Sequence, residues 1–301
     1  MVIDFLSYGW PINYTAPTRP VSSLHDHPSA SQFASHVQDY IDTESSWNAI
    51  AGPFVYPPFS DNLVCSPLQT VPKRGSSKRR VVMDLILEKG RHCLVFKKDL
   101  RRAYRQFPID PKDYKFLGFS YQGNFYLDTR CPFRLRTAAM ICQRTTKAVV
   151  HIFTEQGFSA DVDLDDFYGA EYPSLAIQAF SLLAHLFLQL GLDSSPEKDS
   201  PPSTSMICLG ILVDTVAFTL EVPTTRLEDL LAELTTWRAA NFFTRKQLQS
   251  LLGKLSFVTA CVKSGRIFMA RLLNSLREFK RPGSHRYPIS AAIIFGHTLV
   301  D

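Results

Sequence analysis

Residues 159 to 171, SADVDLDDFYGAE, place four aspartates within six positions, and this cluster constrains the fold more than any other feature of the chain. The four are Asp161, Asp163, Asp165 and Asp166. Like charges this close repel one another unless cations, basic side chains or bulk water compensate them. Val162 and Leu164 alternate with the aspartates, which is the period-two pattern of a half-buried strand. We therefore predict a strand that runs into a tight turn at Asp165 and Asp166.

A solvated acidic loop and a calcium-binding EF-hand loop are the two alternatives to this strand and turn. The apolar alternation argues against a freely solvated loop. The EF-hand motif fails because its sixth position, counted from Asp161, is Asp166 instead of glycine, and its twelfth is Tyr172 instead of glutamate. What remains is a pair of carboxylates at the tip of a hairpin, hard oxygen ligands that suit Mg²⁺ or Mn²⁺.

The charge of the chain is unevenly distributed. The net charge is +5, but the segment from Lys73 to Arg105 holds twelve basic residues against three acidic ones, a net +9 that leaves −4 for the remainder. A basic segment in the same chain as an acidic cluster indicates a polyphosphate held between protein cations and bound metal. The alternative is an ordinary solvated surface.

The composition excludes several classes of protein. The six cysteines form no C-x-x-C pair, so neither a zinc site nor a dense disulfide framework is indicated, and we expect reduced thiols. The N-terminus lacks the pattern of a secretory signal. Residues 172–192 carry no formal charge, but recurring Gln, Ser and His favour a buried amphipathic helix over a membrane span. We therefore expect an intracellular protein, cytoplasmic or nuclear, without a membrane partner.

The pattern along the chain mixes strands and helices, and the helices gather towards the C-terminal end. We predict one short helix in an otherwise loose N-terminal arm, strands at 77–86 and 92–100, a helix over 136–157 that ends at Gly157, and strands within 205–223. Two further helices are predicted within 224–279, separated near NFFTR. This order favours an α+β domain followed by a helical region.

Several ordered motifs resemble a reverse transcriptase, specifically one from a retroelement of the DIRS-like or Gypsy-like retrotransposon type. SPLQTVPKRGSSKRRVVMDL resembles the fingers segment, VFKKDLRRAYRQFPI the first palm motif, and CPFRLRTAAMICQRTTKAV the template-positioning helix. DLDDFYG resembles the Y-x-D-D hairpin, LGLDSSPEKD the lysine motif, MICLGILVD the primer-grip hairpin, and TRKQLQSLLGKLSFVTACVKSGRIFMARLL the helices after the palm. The resemblance extends from about Ile50 to about Phe279, and its strength lies in the order of the motifs.

The resemblance implies a palm with shortened fingers followed by a helical thumb or connection-like region. It divides the chain into a loosely structured arm at 1–50, a fingers and palm polymerase domain at 51–222, a helical region at 223–280 and a tail at 281–301. It implies RNA-directed DNA polymerase activity, a nucleotidyltransferase reaction on an RNA/DNA template-primer with deoxynucleoside triphosphates. No ribonuclease H domain is expected.

The resemblance also assigns roles to individual residues. Asp99 and Asp165 are the expected bridging ligands of two Mg²⁺ or Mn²⁺ ions, with Asp166 as the adjacent carboxylate, because two-metal phosphoryl transfer requires carboxylates between the ions. Lys198 is the expected proton donor to the leaving group. Three residues are expected to bind the nucleotide and five to contact template or primer: Arg80, Lys73 and Tyr104, and Pro132, Phe133, Arg134, Leu209 and Gly210, respectively.

Three departures from the family pattern predict impaired activity. Arg134 stands where the family has a glycine whose missing side chain lets backbone approach the substrate or template. Asp163 replaces the tyrosine of the hairpin motif, and only 15 positions separate Asp84 from Asp99, which indicates a shortened fingers segment. The alternative is a catalytically inactive relic that at most binds nucleic acid non-specifically.

Overall fold

A computed structural model of the chain describes residues 4, 7–12, 26–59, 63–66, 68, 81–262, 265–278 and 286–288. The contacts divide the chain into two units. One unit comprises Met1–Ser76 and Phe96–Pro202, and the other comprises Ser77–Val95 and Ser203–Asp301. The predicted boundaries at residues 50, 222 and 280 remain predictions.

Helices and strands alternate irregularly along the chain. The helices are α1 (Pro28–Gln32), α2 (Ala34–Ser46), α3 (Val81–Lys89), α4 (Ala138–Glu155), α5 (Ala176–Gln189), α6 (Thr224–Ala239), α7 (Arg245–Cys261) and α8 (Gly265–Glu278). The strands are β1 (Ile50–Phe54), β2 (Leu94–Asp99), β3 (Gly118–Tyr121), β4 (Asn124–Asp128), β5 (Ala160–Asp163), β6 (Asp166–Glu171), β7 (Ser200–Ser203), β8 (Ser205–Cys208), β9 (Ile211–Asp214), β10 (Thr219–Glu221), β11 (Phe242–Thr244) and β12 (Arg286–Pro288). Short 3₁₀ helices cover Ala103–Gln106, Pro111–Phe116 and Pro196–Lys198. The mixture of elements is the predicted α+β class.

A four-stranded sheet in the order β5-β6-β2-β7 carries the aspartate cluster. Strands β5 and β6 form the predicted antiparallel hairpin, with Asp163 opposite Asp166. Close packing of β6 on β2 requires a glycine, because a Cβ at Gly169 would lie 2.0 Å from the ring of Phe96. The absence of a side chain at Gly169 lets the two strands that end in Asp99 and begin at Asp166 lie side by side.

Helices α4 and α5 cover this sheet and form the main core. The helices contact each other, α4 also contacts β5, and α5 contacts β6. Phe153 and Leu183 from the helices and Phe96 and Phe167 from the strands are fully buried in one cluster. Burying a side chain of this size removes apolar surface from water, and each contributes about 1.5–3 kcal/mol to the stability of the fold. The core therefore fixes the two strands that bear the carboxylates.

A second sheet in the first unit has the order β1-β4-β3 and packs against the N-terminal helices. Val37 and Ile41 of α2 lie in a cluster with Phe119 and Tyr126, whose rings stack 5.2 Å apart. The arm predicted to carry one short helix thus forms at least two among its described residues, α1 and α2. The prediction missed α1 because its five residues provide too little helical periodicity to be recognised.

The second unit contains a β10-β9-β8 sheet, a β11-β12 pair and helices α6, α7 and α8. Helix α7 begins with a capping box, in which the Thr244 side chain and Gln247 bond reciprocally to each other's backbone N–H groups. Phe243, Leu248 and Leu252 form the buried cluster beneath it. The prediction of two helices in this region was wrong, because Gly265 begins a third helix that the continuous apolar pattern concealed.

The strand predicted at 77–86 was also wrong, because residues Val81–Lys89 form α3. The paired valines at 81 and 82 favour a strand locally, since β-branched residues have high strand propensity. The helix is closed by Gly90, which adopts φ +80° and donates its N–H to the Ile86 carbonyl at 2.8 Å. Helices commonly end with a glycine in the left-handed conformation, and here this helix signal outweighs the strand propensity of the two valines.

The apolar segment 172–192 forms α5, an amphipathic helix as predicted. It buries Ala179, Leu183 and Leu186, while Ile177 and Leu188 are exposed. Within the described ranges, every helix is too short or too polar to cross a membrane.

Candidate active site

The ends of two neighbouring strands bring Asp99 and the aspartate hairpin together. Asp99 is the last residue of β2, and Asp166 is the first residue of β6. The Leu100 N–H donates to the Asp165 carbonyl at 3.1 Å, which fixes the end of β2 beside the hairpin tip. Residues separated by more than sixty positions in sequence therefore form one cluster of carboxylates.

The hairpin turn is held by Gln143 of α4. The Gln143 amide donates through Nε2 to the Val162 carbonyl at 3.0 Å and accepts through Oε1 from the Leu164 N–H at 2.9 Å. The turn residues are Leu164 and Asp165, with Leu164 at φ +59°, so the turn lies one residue earlier than predicted. The shift places Asp166 on the strand and leaves Asp165 in the turn.

Sequence reasoning missed Gln143, although it anchors both sides of the turn. A glutamine within an amphipathic helix gives no local signal of such a role. The one available signal was that Gln143 is a polar residue on the side of the helix that faces the core. Cys142 and Thr146 on that side are fully buried.

The carboxylates are in a low-dielectric environment that opposes ionisation. Asp99 is only 4% exposed, and burial raises its pKa, an effect opposed by a hydrogen bond from Lys198. Burial also raises the pKa of Asp165, and the nearby charges of Asp166 and Asp99 raise it further. Like charges that raise each other's pKa are typical of functional sites, because a purely structural arrangement gains nothing from them.

Two lysines compensate part of this negative charge. The Lys198 Nζ donates to Asp99 Oδ1 at 2.6 Å, and the Lys97 Nζ lies 2.9 Å from Asp166 Oδ1. The hydrogen bond to Asp99 raises the pKa of Lys198 and keeps its ammonium protonated at neutral pH. Lys198 reaches this position because the Ser195 N–H donates to the Asp99 carbonyl at 2.8 Å, which fastens the lysine loop to the end of β2.

Tyr104 lies at the edge of the carboxylate cluster. Its pKa is raised by burial and then by the neighbouring Cys142, Asp165 and Asp163. Its ring makes an edge contact with Phe133, 5.7 Å between centroids. Phe133 is 60% exposed, so this aromatic pair presents an open apolar surface beside the acidic one.

Arg134 adopts a left-handed backbone conformation with φ +72°. This region of φ favours glycine, because a Cβ clashes with the backbone there. The residue is exposed and lies in the loop after Pro132 that leads into α4. The backbone thus has the geometry of the glycine that the resemblance predicts, while the side chain is that of arginine.

The remaining two aspartates of the cluster have different surroundings. Asp161 lies on the edge strand β5 and forms an ion pair with Lys147 of α4. Asp163 pairs across the hairpin with Asp166 through the backbone. Asp161 is therefore an edge-strand residue compensated by a helix, and the acidic site proper consists of Asp99, Asp165 and Asp166.

Four further predicted residues are either outside the described residues or in the second unit. Lys73 and Arg80 fall outside the described residues. Leu209 and Gly210 lie in the second unit, in the turn between β8 and β9, where both have positive φ values of +47° and +79°.

The donor set fits Mg²⁺ or Mn²⁺ in kind, since carboxylate oxygens are hard ligands. In the part of the chain that the structure describes, however, no group of three or more His, Cys, Asp or Glu side chains is arranged to hold a metal ion. The ammonium groups of Lys97 and Lys198 bind one oxygen each of Asp166 and Asp99.

Comparison with known proteins identifies the fold but not a sequence family. No protein-family model matches the sequence, and no curated protein matches it. Solved structures do match. A foamy viral protease-reverse transcriptase in complex with double-stranded DNA has a TM-score of 0.71 at 15% identity, over 96% of this chain and 50% of that one. The same type of protein in complex with an RNA/DNA hybrid has a TM-score of 0.64 at 16% identity, over 96% and 39%.

A third foamy viral protease-reverse transcriptase structure, in complex with double-stranded DNA, has a TM-score of 0.59 at 15% identity, over 89% of this chain and 62% of that chain. The chain thus spans less than two thirds of the length of each of these structures. At this level of identity the comparison concerns the fold, and the chain has a reverse-transcriptase-like fold that mixes helices and sheets, as the motifs predicted.

Proposed function

We propose that the chain is the polymerase domain of a retroelement reverse transcriptase, an RNA-directed DNA polymerase that adds deoxynucleotides to a primer. The observation that carries the proposal is the cluster of Asp99, Asp165, Asp166 and Lys198 at the ends of β2 and β6 in a reverse-transcriptase-like fold. The raised pKa values of Asp99, Asp165 and Lys198, three groups gathered at one end of the sheet, support a functional role in preference to a structural one.

Asp99 and Asp165 would hold two divalent ions, with Asp166 as an additional ligand. Such ions stabilise the attacking and leaving oxygens of an in-line displacement at phosphorus. The chain itself contributes the carboxylates, held in register by the Leu100 and Ser195 backbone hydrogen bonds. Lys97 and Lys198 would be displaced from the carboxylates towards the phosphates, where their positive charge has an equivalent partner.

Lys198 and Tyr104 have proposed roles in handling the nucleotide. Lys198 stays protonated beside Asp99, as a proton donor to the leaving pyrophosphate must before the reaction. Tyr104, half-buried against Phe133, would lie under the sugar and exclude a ribose 2′-hydroxyl. Lys73 and Arg80 are proposed to contact the triphosphate, and arginine suits this role through its planar fork of donors.

We propose an RNA/DNA template-primer and deoxynucleoside triphosphates as partners. The matched structures are complexes with double-stranded DNA and with an RNA/DNA hybrid, which supports nucleic acid as the partner class for this fold. Pro132, Phe133 and Arg134, and Leu209 and Gly210 of the second unit, are the proposed contacts to template and primer.

We also propose that this activity is impaired. Arg134 combines a glycine-like backbone with a long cationic side chain, which would occupy space that nucleic acid needs. Asp163 adds a carboxylate next to Tyr104 and the metal ligands, as its effect on the pKa of Tyr104 illustrates. The short segment between Asp84 and Asp99 is a third proposed cause. A relic that binds nucleic acid without catalysis is the alternative, favoured by the two lysines on the carboxylates.

Primer extension on an RNA template with Mg²⁺ tests the proposal. We expect little or no synthesis by the wild-type chain, and measurable deoxynucleotide incorporation by the double variant Arg134→Gly with Asp163→Tyr. Adding Asp165→Asn to the double variant should abolish incorporation again, because it removes a metal ligand.

The remaining outcomes separate the claims. Robust synthesis by the wild-type chain would contradict the proposed impairment but support the proposed polymerase function. If the double variant stays inactive while binding a template-primer with the expected salt dependence, the relic is the better description. If neither protein binds template-primer at low salt, the polymerase proposal itself fails.

A further inference from the structure

The lining of a cavity of about 140 Å³ in the first unit includes four arginines, a glutamate and a tryptophan: Arg101, Arg102, Arg105, Arg130, Glu44 and Trp47. None of these residues belongs to the carboxylate cluster or to the proposed template contacts. Four guanidinium groups around one cavity are unusual, because each carries a positive charge that opposes the approach of the others.

Arg105 is the buried member of the group, with a side chain 2% exposed. Its Nε donates to Glu44 Oε2 at 3.0 Å, and its Nη1 donates to Asp128 Oδ1 at 2.6 Å. Its Nη2 is buried and has no hydrogen-bond partner among the described residues. A buried charged donor left without an acceptor is costly, so this nitrogen is suited to an acceptor supplied from outside the chain.

Arg102 has a second buried donor nitrogen that makes no hydrogen bond among the described residues. Its Nη1 is buried and lies 3.4 Å from Glu44 Oε1, within ion-pair range, but it makes no hydrogen bond among the residues described. The guanidinium lies over the ring of Trp47, 5.1 Å from the centroid, which fixes the plane of its donor fork. The Arg102 side chain is 32% exposed, so the cavity is accessible from solvent on this side.

The other two arginines are also fixed by contacts of their own. Arg130 donates from Nη1 to the Gln106 carbonyl at 2.8 Å, and the Arg101 Nη2 lies 3.4 Å from Glu197 Oε2. Two carboxylates line the cavity, Glu44 and Asp193, so its lining carries a net charge of +2. Asp128 and Glu197 pair with arginines from outside the lining. Glu44 is shared between two guanidinium groups, which leaves donors in excess of acceptors.

We propose that this cavity binds a phosphate group, with Arg102 and Arg105 as the principal donors. A phosphate oxyanion carries up to two negative charges and several acceptor oxygens, which match the charge of the lining and its unpartnered donors. The volume corresponds to about four or five water molecules at ~30 Å³ each. That space admits a phosphate or pyrophosphate, but not an enclosed nucleotide, since drug-sized ligands need about 300 Å³ or more.

The phosphate can be a free ion or the terminal phosphate of a nucleic acid. Isothermal titration calorimetry with the full chain, in chelator and at constant ionic strength, tests both sources. One series uses inorganic pyrophosphate, and a second compares a 5′-phosphorylated oligodeoxynucleotide with the same oligonucleotide lacking the phosphate. The chelator keeps divalent ions off the carboxylate site, so the outcome does not depend on polymerase activity.

We expect pyrophosphate to bind and Arg102→Gln to weaken it about tenfold, because a charge-assisted hydrogen bond is lost. Arg102→Lys should weaken it less, since it keeps the charge but loses the planar fork. Arg144→Gln is the matched control: it removes one exposed arginine of α4 that does not line the cavity, and it should change affinity less than twofold. Thermal unfolding of each variant checks that the fold is retained.

A 5′-phosphate that strengthens oligonucleotide binding in the wild type but not in Arg102→Gln would identify the nucleic-acid terminus as the source. Binding of pyrophosphate alone would identify the free ion. The proposal is overturned if no phosphate probe binds. It is also overturned if Arg144→Gln weakens binding as much as Arg102→Gln, because the attraction is then only the general field of the chain.

Discussion

Two groups of charges in the first unit are built on opposite principles. Around Arg105, the buried carboxylates Glu44 and Asp128 meet a cation with short hydrogen bonds at 3.0 and 2.6 Å. Around Asp165, carboxylates meet other carboxylates, and the charges of Asp166 and Asp99 raise the pKa of Asp165. The first arrangement pairs opposite charges, and the second holds like charges together.

The two arrangements differ in what they contribute to the stability of the fold. A buried ion pair compensates part of its own desolvation, so it persists for the sake of the fold. A cluster of like charges costs stability unless a cation joins it, so it persists only where the charge is used. Both groups draw on the basic segment 73–105, which the sequence presents as one continuous patch. The structure divides it, because Lys98 and Arg105 are buried and paired while Lys97 faces the carboxylates.

The largest change in stability is expected from replacing Arg105, and it tests whether the Arg105 group is a buried ion pair. Arg105→Met should lower the free energy of unfolding by about 3–5 kcal/mol, because it leaves Glu44 and Asp128 charged or half-satisfied in a buried position. Urea denaturation measures the change. Arg101→Met is the control, since Arg101 and Glu197 are 43% and 61% exposed, so solvent screens their pairing and its loss should change stability little. Equal losses in the two variants would show that the Arg105 group is not a buried structural pair.

An effect of opposite sign is expected at Asp165. Burial and two like charges raise its pKa in the folded chain above the ordinary value of 3.8. Between the ordinary pKa and the raised one, the folded chain binds more protons than the unfolded chain. The free energy of unfolding therefore falls as the pH rises through this range, and the full cost of ionising Asp165 is present above the raised pKa. Asp165→Asn removes the penalty. It should raise the free energy of unfolding at pH 7, because an amide avoids the cost of ionising a buried carboxyl beside two like charges.

The same measurement at several pH values sharpens the prediction. The gain from Asp165→Asn should shrink as the pH falls through the raised pKa of Asp165, because the wild-type carboxyl is then protonated as well. Asp161→Asn is the control, since it removes a carboxylate that pairs with Lys147 and should give no gain at pH 7. A loss of stability in Asp165→Asn would mean that the cluster is structurally compensated, like the Arg105 group.

The smallest effect is expected from the backbone beside the carboxylates. Arg134→Gly should stabilise the chain by about 0.5 kcal/mol, because the left-handed conformation costs an arginine about 1–2 kcal/mol and glycine loses part of that gain as chain entropy. Arg136→Gly, two positions later and without a positive φ, should destabilise instead. Guanidinium denaturation compares the two. A loss in both variants would show that the arginine side chain outweighs the strain at φ +72°.

Local patterns predicted the elements that depend on short stretches of sequence. The helix from Ala138 to Glu155, the strand that ends at Asp99 and the aspartate hairpin all follow from periodicity and turn residues. Prediction failed where two local signals competed, as in α3, or where the partner was remote, as with Gln143. The hairpin turn was misplaced by one residue because only the amide of Gln143, from another element, selects Leu164 as the turn residue.

The sequence by itself determined which residues are the candidates for the chemistry, because a clustered set of carboxylates and an ordered series of motifs are local features of the chain. Only the tertiary structure decided how those charges are compensated. Glu44 is 61 positions from Arg105, and Lys198 is 99 positions from Asp99, yet both pairs are in hydrogen-bond contact. The physical reason is that the energy of a charge depends on its distance to other charges and on its burial, and both are set by packing.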